Sequence, residues 1–182
     1  MPKYAFAILL ASWIAWCLPF FLARKGQRAP QLVDRRARWG IVLVFVAYAL
    51  IWFGPFWLRT PSFWRIPLAI PFLLLAPFLS WAAVRALSRH WRIDAGLDKD
   101  HQLIRTGPYR FIRHPIYTSM LLQLLGTGLL ISIPWLIPIA VALFLAGTEI
   151  RIRIEDKLLA DRFGETFTAY ARSTSAYIPF LK

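Results

Sequence analysis

Cysteine and acidic residues are scarce in this sequence. Its 182 residues include one cysteine, Cys17, which excludes an intramolecular disulfide and a cage of thiolates around a metal. Asp and Glu number 9 against 22 Lys and Arg, and charged residues make up only 17% of the chain. Hydrophobic residues account for 58%, far more than a water-soluble domain of this size carries. The composition predicts an integral membrane protein whose residues 1–182 form one domain.

The formal net charge of +13 raises the question of nucleic-acid binding. A basic soluble domain carries its charge on one face or arm, whereas here the Lys and Arg residues lie between apolar blocks. We therefore expect no nucleic-acid partner. His90 and His101 have no other metal-ligating residues at a suitable spacing, so no metal site is expected either.

Four apolar blocks follow one another along the chain, at residues 4–23, 39–58, 66–84 and 116–147. The first three are close to the ~20 residues that span a bilayer. The fourth would reach ~48 Å as one helix, well beyond a ~30 Å hydrocarbon core. Pro134, near its middle, lacks a backbone N–H and favours a break into two helices. We predict an all-α, polytopic membrane fold of five transmembrane helices, of which the last two form a helical hairpin.

Beyond Gly147 the chain becomes polar, but its periodicity stays helical. Ile154 and Leu158 recur at helical spacing, and Gly164 is a natural helix stop. We therefore predict that a helix continues out of the membrane and that the C-terminal region carries a cytoplasmic helix.

The distribution of basic residues predicts the orientation. With five spans, 19 of the 22 Lys and Arg residues fall on one side, and only Lys3, Arg59 and Arg65 fall on the other. Basic loops stay in the cytoplasm. The prediction is a multi-pass protein of an inner or plasma membrane, with its N-terminus outside and its C-terminus cytoplasmic.

The segment 106–117, Thr-Gly-Pro-Tyr-Arg-Phe-Ile-Arg-His-Pro-Ile-Tyr, places polar side chains at the start of the fourth block. Polar groups at the mouth of a membrane helix usually have a function. Pro115 suits the first position of a helix, whose free backbone amides would form an anion site. Arg113 offers a bidentate grip on a carboxylate or phosphate, and Tyr109 and Tyr117 offer ring faces to a base or cation.

A carboxylate such as Glu155 adds a group that can hold hydroxyl or ammonium groups. A ligand with carboxylate, ammonium, sulfonium and adenosine parts would use all these features, and S-adenosylmethionine is such a ligand. The alternative is an ordinary basic flank of a membrane helix, with Tyr117 in an interfacial aromatic belt.

Two groups of residues, taken together, resemble a known family. The first is Gly107-Pro-Tyr-x-x-x-Arg113-His-Pro-x-Tyr117. The second is Glu155-Asp-x-x-Leu159-x-x-x-Phe163-Gly-x-x-Phe167-x-x-Tyr170, which is followed by Ile178-Pro-Phe180. In this order they are similar to the isoprenylcysteine carboxyl methyltransferase family, and the related phospholipid methyltransferases share part of the pattern.

The resemblance implies a membrane methyltransferase that uses S-adenosylmethionine and takes a lipophilic or prenylated substrate from the bilayer. Residues 1–84 would then supply three spans, and residues 85–182 the cofactor-binding catalytic core. The implied catalytic residues are Arg113 and Glu155. The implied cofactor-binding residues are Tyr109, Arg113, His114, Pro115, Tyr117, Glu155 and Asp156. Substrate contacts are expected from Gln123, Tyr170 and Arg172.

The methyl acceptor is left open by the residues alone. A carboxylate is already ionised at neutral pH, whereas an amine must first lose a proton, for which His114 or Glu155 would be candidates. The resemblance favours a carboxylate of the isoprenylcysteine type over a phospholipid or other small-lipid amine. Two other classes remain: a non-catalytic membrane scaffold or small transporter, and a sterol-type reductase with a nicotinamide cofactor.

Overall fold

The computed structural model describes residues 1–23, 32–55, 60–92, 95–97 and 102–177. These residues are mostly helical, as predicted. The α-helices are α1 (Lys3–Ala23), α2 (Ala37–Ile51), α3 (Arg65–Leu87), α4 (Pro115–Ile131), α5 (Leu136–Phe163) and α6 (Glu165–Ser173). The expected end of the second span beyond residue 55, together with Arg59, His101 and the segment 178–180, lies outside the described residues.

Two short strands depart from the all-α prediction. The strands β1 (Leu32–Val33) and β2 (Gly96–Leu97) pair antiparallel and join two segments that were expected to be loops. The backbone N–H of Asp34 extends the pairing by donating to the carbonyl of Ala95 at 3.2 Å. This pairing satisfies backbone groups that a loop would leave to water, and two residues are too few to give a strand pattern in the sequence.

A helix break is found at the position that Pro134 predicts. Helix α4 ends at Ile131 and α5 begins at Leu136. The two helices pack chiefly against α3 and α2 respectively, so a close α4–α5 hairpin stays a prediction. Helix α5 continues through the polar region and ends at Gly164, whose φ of +53° is in the left-handed region that suits glycine.

Helices α3 and α4 lie side by side and run in opposite directions. At one end Arg65 donates from Nη2 to the carbonyls of Gly128 and Ser132, at 2.9 Å each. The Gly128 carbonyl also accepts from the backbone N–H of Ser132 at 3.0 Å, so Arg65 adds to the hydrogen bonds at the C-terminal end of α4. Between α2 and α5 the backbones approach closely, because a Cβ on Gly40 would lie only 2.4 Å from the carbonyl oxygen of Gly147.

Polar contacts attach α1 to the other helices. Ser12 donates from Oγ to the carbonyl of Leu73 at 2.7 Å, and Trp16 donates from Nε1 to Ser119 Oγ at 3.1 Å. Hydrogen bonds of this kind commonly hold helices together inside membranes. They fix the face that α1 turns toward the interior of the bundle.

The outside of the bundle is strongly apolar. Among the described residues, α1 and α3 are long and apolar enough to cross a membrane, and only 22% and 28% of their most apolar windows are buried inside the protein. The core helix of a soluble protein would be mostly buried. Large side chains such as Phe45 and Phe78 are 69% and 71% exposed. These features are those of a membrane protein, while the number of spans and their orientation stay predictions.

Candidate functional site

A cavity of about 770 Å³ lies between α1, α2 and the residues around the start of α4. This volume is in the range of small-molecule binding sites. Its two ends differ in chemistry. One part, here called the apolar arm, is lined by Trp13, Trp16, Cys17, Phe20 and Phe21 of α1, by Ile41, Val44, Phe45 and Tyr48 of α2, and by Ile116 and Met120 of α4. The other part, the polar end, is lined by Tyr109, Arg113, His114, Tyr117, Arg151 and Glu155.

His114 connects the start of α4 with the polar half of α5. It immediately precedes Pro115, the first residue of α4 as predicted. Its Nε2 lies 2.9 Å from Asp156 Oδ1, and its Nδ1 lies 3.6 Å from Glu155 Oε2. An ionised carboxylate only accepts hydrogen bonds, so Nε2 carries a proton, and the carboxylate of Glu155 near Nδ1 favours protonation there as well.

A second chain of contacts joins Tyr117, Arg151 and Glu155. Arg151 donates from Nε to the hydroxyl of Tyr117 at 2.6 Å and from Nη2 to Glu155 Oε1 at 3.1 Å. The Tyr117 hydroxyl in turn donates to Glu155 Oε1. Arg151 is buried, with 6% of its surface exposed. Glu155 therefore has two cationic neighbours and one hydroxyl donor.

Arg113 binds the C-terminal part of the chain as well as Asp156. Its Nη1 donates to the carbonyls of Ala171, at 3.0 Å, and Thr174, and its Nη2 donates to Asp156 Oδ2 at 3.2 Å. Its Nε is buried and has no hydrogen-bond partner among the described residues. The guanidinium of Arg113 thus joins the start of α4 to the C-terminal segment and to α5.

The charges of the site shift one another's pKa values. Burial alone would lower the pKa of His114, but hydrogen bonds and the charges of Asp156 and Glu155 outweigh it and raise that pKa. Burial would raise the pKa values of Glu155 and Asp156, yet His114 lowers both, with help from Arg151 at Glu155 and from Arg113 at Asp156. The ionised forms are thus favoured throughout, and three cations face two carboxylates.

The C-terminal segment lies close to the predicted anion site at the start of α4. The backbone N–H groups of Arg113 and His114 donate to the carbonyls of Ser175 and Ala176, at 2.8 and 3.1 Å. The segment that follows α6 therefore occupies the two amides just before the helix, while an anion site at the amides of the first helical residues stays a prediction. The sequence could not show this, because the contact joins residues some sixty positions apart.

The structure brings part of the predicted site together. Tyr109, Arg113, His114, Tyr117 and Glu155 line the cavity. Asp156 does not line it but binds two residues that do, His114 and Arg113.

The three predicted substrate contacts lie elsewhere. Gln123 is fully buried and accepts a hydrogen bond from Ser12 Oγ at 3.0 Å, so it joins α4 to α1. Tyr170 donates from its hydroxyl to the carbonyl of Tyr109 at 2.5 Å and so supports the polar end from behind. Arg172 is exposed on α6. None of the three lines the cavity, and their contact with a substrate stays a prediction.

Sequence reasoning missed two groups of site residues. Arg151 is four residues before Glu155 on one helix face, a spacing that could have indicated the pair. The aromatic side chains of the apolar arm, among them Trp13, Trp16 and Tyr48, read only as parts of apolar blocks. Nothing in such a block shows which face turns inward.

The sequence of this chain is similar to those of known proteins. The family described as "Isoprenylcysteine carboxyl methyltransferase (ICMT) family" matches residues 68–161. A cobalt-zinc-cadmium resistance protein of Cupriavidus metallidurans is 32% identical over 151 residues, which is 79% of this chain and 62% of that protein. A protein-S-isoprenylcysteine O-methyltransferase of Saccharomyces cerevisiae is 32% identical over 84 residues, 46% of this chain and 35% of that protein.

A nickel-cobalt-cadmium resistance protein of Alcaligenes xylosoxydans is 37% identical over 86 residues, 46% of this chain and 38% of that protein. The chain thus spans less than two thirds of the length of each of these relatives. The family match covers more than half of the chain and includes the start of α4 and the two site carboxylates of α5, Glu155 and Asp156. On this evidence, the chain belongs to the isoprenylcysteine carboxyl methyltransferase family.

Proposed function

We propose that this chain is a membrane methyltransferase that uses S-adenosylmethionine and methylates a lipophilic acceptor. The observation that carries the proposal is the cavity itself, in which one space joins a charged end to an apolar, aromatic arm. A water-soluble donor and a membrane-dissolved acceptor need such a space if they are to meet. A protein that only supports other proteins has no need of it.

The residues of the polar end fit the cofactor. Arg113 lines the cavity and its guanidinium charge attracts the carboxylate of the cofactor, while Glu155 is an acceptor for its ammonium or ribose hydroxyl groups. Tyr109 lines the same end and offers a ring face to the adenine or the sulfonium, whereas the ring of Tyr117 already stacks on His114, with centroids 5.7 Å apart, and lies 5.8 Å from the guanidinium of Arg151.

When bound, S-adenosylmethionine supplies a methyl group on a sulfonium, which is transferred by in-line displacement. The chain's own residues then have two tasks, alignment and the exclusion of water. The apolar arm holds the acceptor away from water, and the network of Arg151, Tyr117 and Glu155 fixes the polar end in one geometry.

The charges favour an acceptor that needs no base, such as a carboxylate of the isoprenylcysteine type. The two carboxylates beside His114 raise its pKa and favour its protonated form, and the lowered pKa of Glu155 makes it a poor proton acceptor. A lipid amine would have to lose its proton to one of these two groups. The cationic side chains at the polar end outnumber its carboxylates, which also favours an anionic acceptor. The name of the yeast relative, a protein-S-isoprenylcysteine O-methyltransferase, supports the same choice.

The proposed setting is a multi-pass membrane protein with its polar end at the cytoplasmic face, where S-adenosylmethionine is available. The charge split of 19 to 3 between the two sides supports this orientation.

A binding experiment separates the proposal from its two rivals. Purified protein in detergent is titrated calorimetrically with S-adenosylmethionine and, separately, with a reduced nicotinamide dinucleotide. We expect binding of the first and no binding of the second. Binding of the nicotinamide alone would indicate a reductase, and binding of neither would indicate a non-catalytic protein.

A further inference from the structure

We propose that Trp13 and Tyr48 close the deep end of the apolar arm and limit the acceptor to tails of about ten carbons in line. The inference rests on the proposed function, because it describes the tail of the acceptor that the same cavity would hold. In this proposal, residues of α1 and α2 determine which acceptors fit the cavity.

The apolar arm ends where these two side chains lie. Along α1 the lining side chains run from Phe21 to Trp13, and the next inward residue of that face, Leu9, is 1% exposed and part of the closed core. Along α2 they run from Ile41 to Tyr48, and Ile51 beyond it is 0% exposed. Both helices therefore place the floor of the arm at the same depth.

The two rings that form this floor are anchored at their polar atoms. Trp13 donates from Nε1 to Thr127 Oγ1 at 3.1 Å, and Tyr48 donates from its hydroxyl to the carbonyl of Met120 at 2.8 Å. The rings also contact each other edge to face, with centroids 5.6 Å apart. Moving either ring aside would leave a polar atom without a partner in apolar surroundings, which is costly. The floor is therefore rigid.

The depth of the arm gives the length of tail that fits. From Phe21 to Trp13 the lining spans eight residues of helix, or about 12 Å at 1.5 Å per residue. A saturated chain with bonds of about 1.5 Å advances by about 1.25 Å per carbon. About ten carbons in line therefore fill the arm, and a longer tail meets the floor.

One path could bypass the floor. Phe21 and Phe45 line the cavity and are also 66% and 69% exposed on the outer surface, so the arm reaches the outside between α1 and α2. A long tail that leaves through this gap would not sense Trp13 or Tyr48. If the tail ends at the floor, binding and methyl transfer depend on tail length; if the tail leaves through the gap, they do not.

The test uses S-alkyl N-acetylcysteines with straight tails of about 6 to 20 carbons as acceptors and as ligands. Two readouts are taken: methyl transfer from labelled S-adenosylmethionine, and protection of Cys17 from a maleimide. Cys17 lines the arm and is the chain's only cysteine, so its protection reports occupancy without any need for turnover.

We expect both readouts in the wild type to be strongest near ten carbons and about tenfold weaker at 16 or more. Trp13→Leu and Tyr48→Leu should each move the optimum to longer tails. Cys17→Phe, measured by methyl transfer alone, narrows the arm midway and should move the optimum to shorter ones. Trp64→Leu, at an exposed site just before α3, is the matched control and should leave the optimum unchanged.

The inference is overturned if tails of 20 carbons are used or protected as well as those of about ten, or if the optimum stays in place in a folded Trp13→Leu variant. Methyl transfer without length dependence would refute the floor and leave the proposed function standing. Length-dependent protection of Cys17 without methyl transfer would support the floor and refute the proposed function.

Discussion

His114 Nε2 lies 2.9 Å from Asp156 Oδ1, and this contact joins the start of α4 to the polar half of α5. Arg113 binds the other oxygen of the same carboxylate at 3.2 Å. Asp156 is therefore held by two consecutive residues of the Arg-His-Pro sequence. Asp156 does not line the cavity itself, but it orients Arg113 and His114, which do.

The pH dependence of stability follows from this pair. The raised pKa of His114 means that its contribution is complete below its ordinary value of 6.5 and is lost as the pH rises through the folded-state value. The lowered pKa of Asp156 means that its contribution is complete above its ordinary value of 3.8 and is lost as the pH falls through the folded-state value. The pair therefore stabilises the protein most between about pH 4 and 6.5.

Thermal unfolding in detergent checks this. His114→Gln should lower the melting temperature most in that interval, and the gap to wild type should shrink as the pH rises past the raised pKa. Asp161→Asn, an exposed change on the same helix as Asp156, serves as the control. A gap that widens steadily with rising pH would contradict the charge assignment.

Replacing Arg113 tests the cofactor contact. Arg113→Lys loses the planar guanidinium, so we expect affinity for S-adenosylmethionine to fall by about tenfold or more, from the loss of a charge-assisted hydrogen bond of about 1.5–3 kcal/mol. Arg110→Lys, an exposed position three residues earlier, should change affinity little. Calorimetric titration of both variants measures the difference, and equal small effects would make Arg113 an ordinary basic flank.

The close crossing of α2 and α5 predicts a steric effect. A Cβ on Gly147 would lie 2.6 Å from the carbonyl oxygen of Gly40, a backbone atom that cannot rotate away. Gly147→Ala should therefore destabilise the protein by about 1–3 kcal/mol, as overpacking does elsewhere. Ala146→Val, at the exposed neighbouring position, should be close to neutral. Melting temperatures that fall equally in both variants would contradict a close contact between α2 and α5 at Gly147.

Membrane topology can be mapped with reporter fusions. With five spans, a reporter at the C-terminal end is expected in the cytoplasm, and one inserted between α4 and α5, at residues 132–135, is expected outside. Both fusions are scored in the same host with paired reporters that are active on opposite sides. A C-terminal reporter active only outside would remove the polar end from the compartment that holds S-adenosylmethionine.

Local signals in the sequence located much of the fold. Pro134 marked the break before α5, and Gly164 marked its end, because each residue imposes its own backbone geometry. Five of the seven predicted cofactor residues line the cavity, since they sit at one helix start and one helix continuation.

Contacts between distant segments could not be predicted in this way. The carbonyls of Ser175 and Ala176 take the amides before α4, which only the folded chain reveals. Gln123 looked like a polar group that faces a ligand, yet its partner is Ser12 on another helix. In a block that is apolar on all sides, periodicity does not tell the inner face from the outer one.

The central claim is that a methyl group passes from S-adenosylmethionine to a lipophilic acceptor inside one cavity, and that Glu155 is part of the polar end of that cavity. The most direct measurement incubates wild type, Glu155→Gln and Asp161→Asn with methyl-labelled S-adenosylmethionine and membrane lipid extract, alongside thermal stability of each variant in detergent. We predict label in an apolar product for wild type and Asp161→Asn, released by mild base as an ester would be, and little or none for a folded Glu155→Gln. Full activity of Glu155→Gln across a range of cofactor concentrations, or no labelled product with any of the three, would contradict the account.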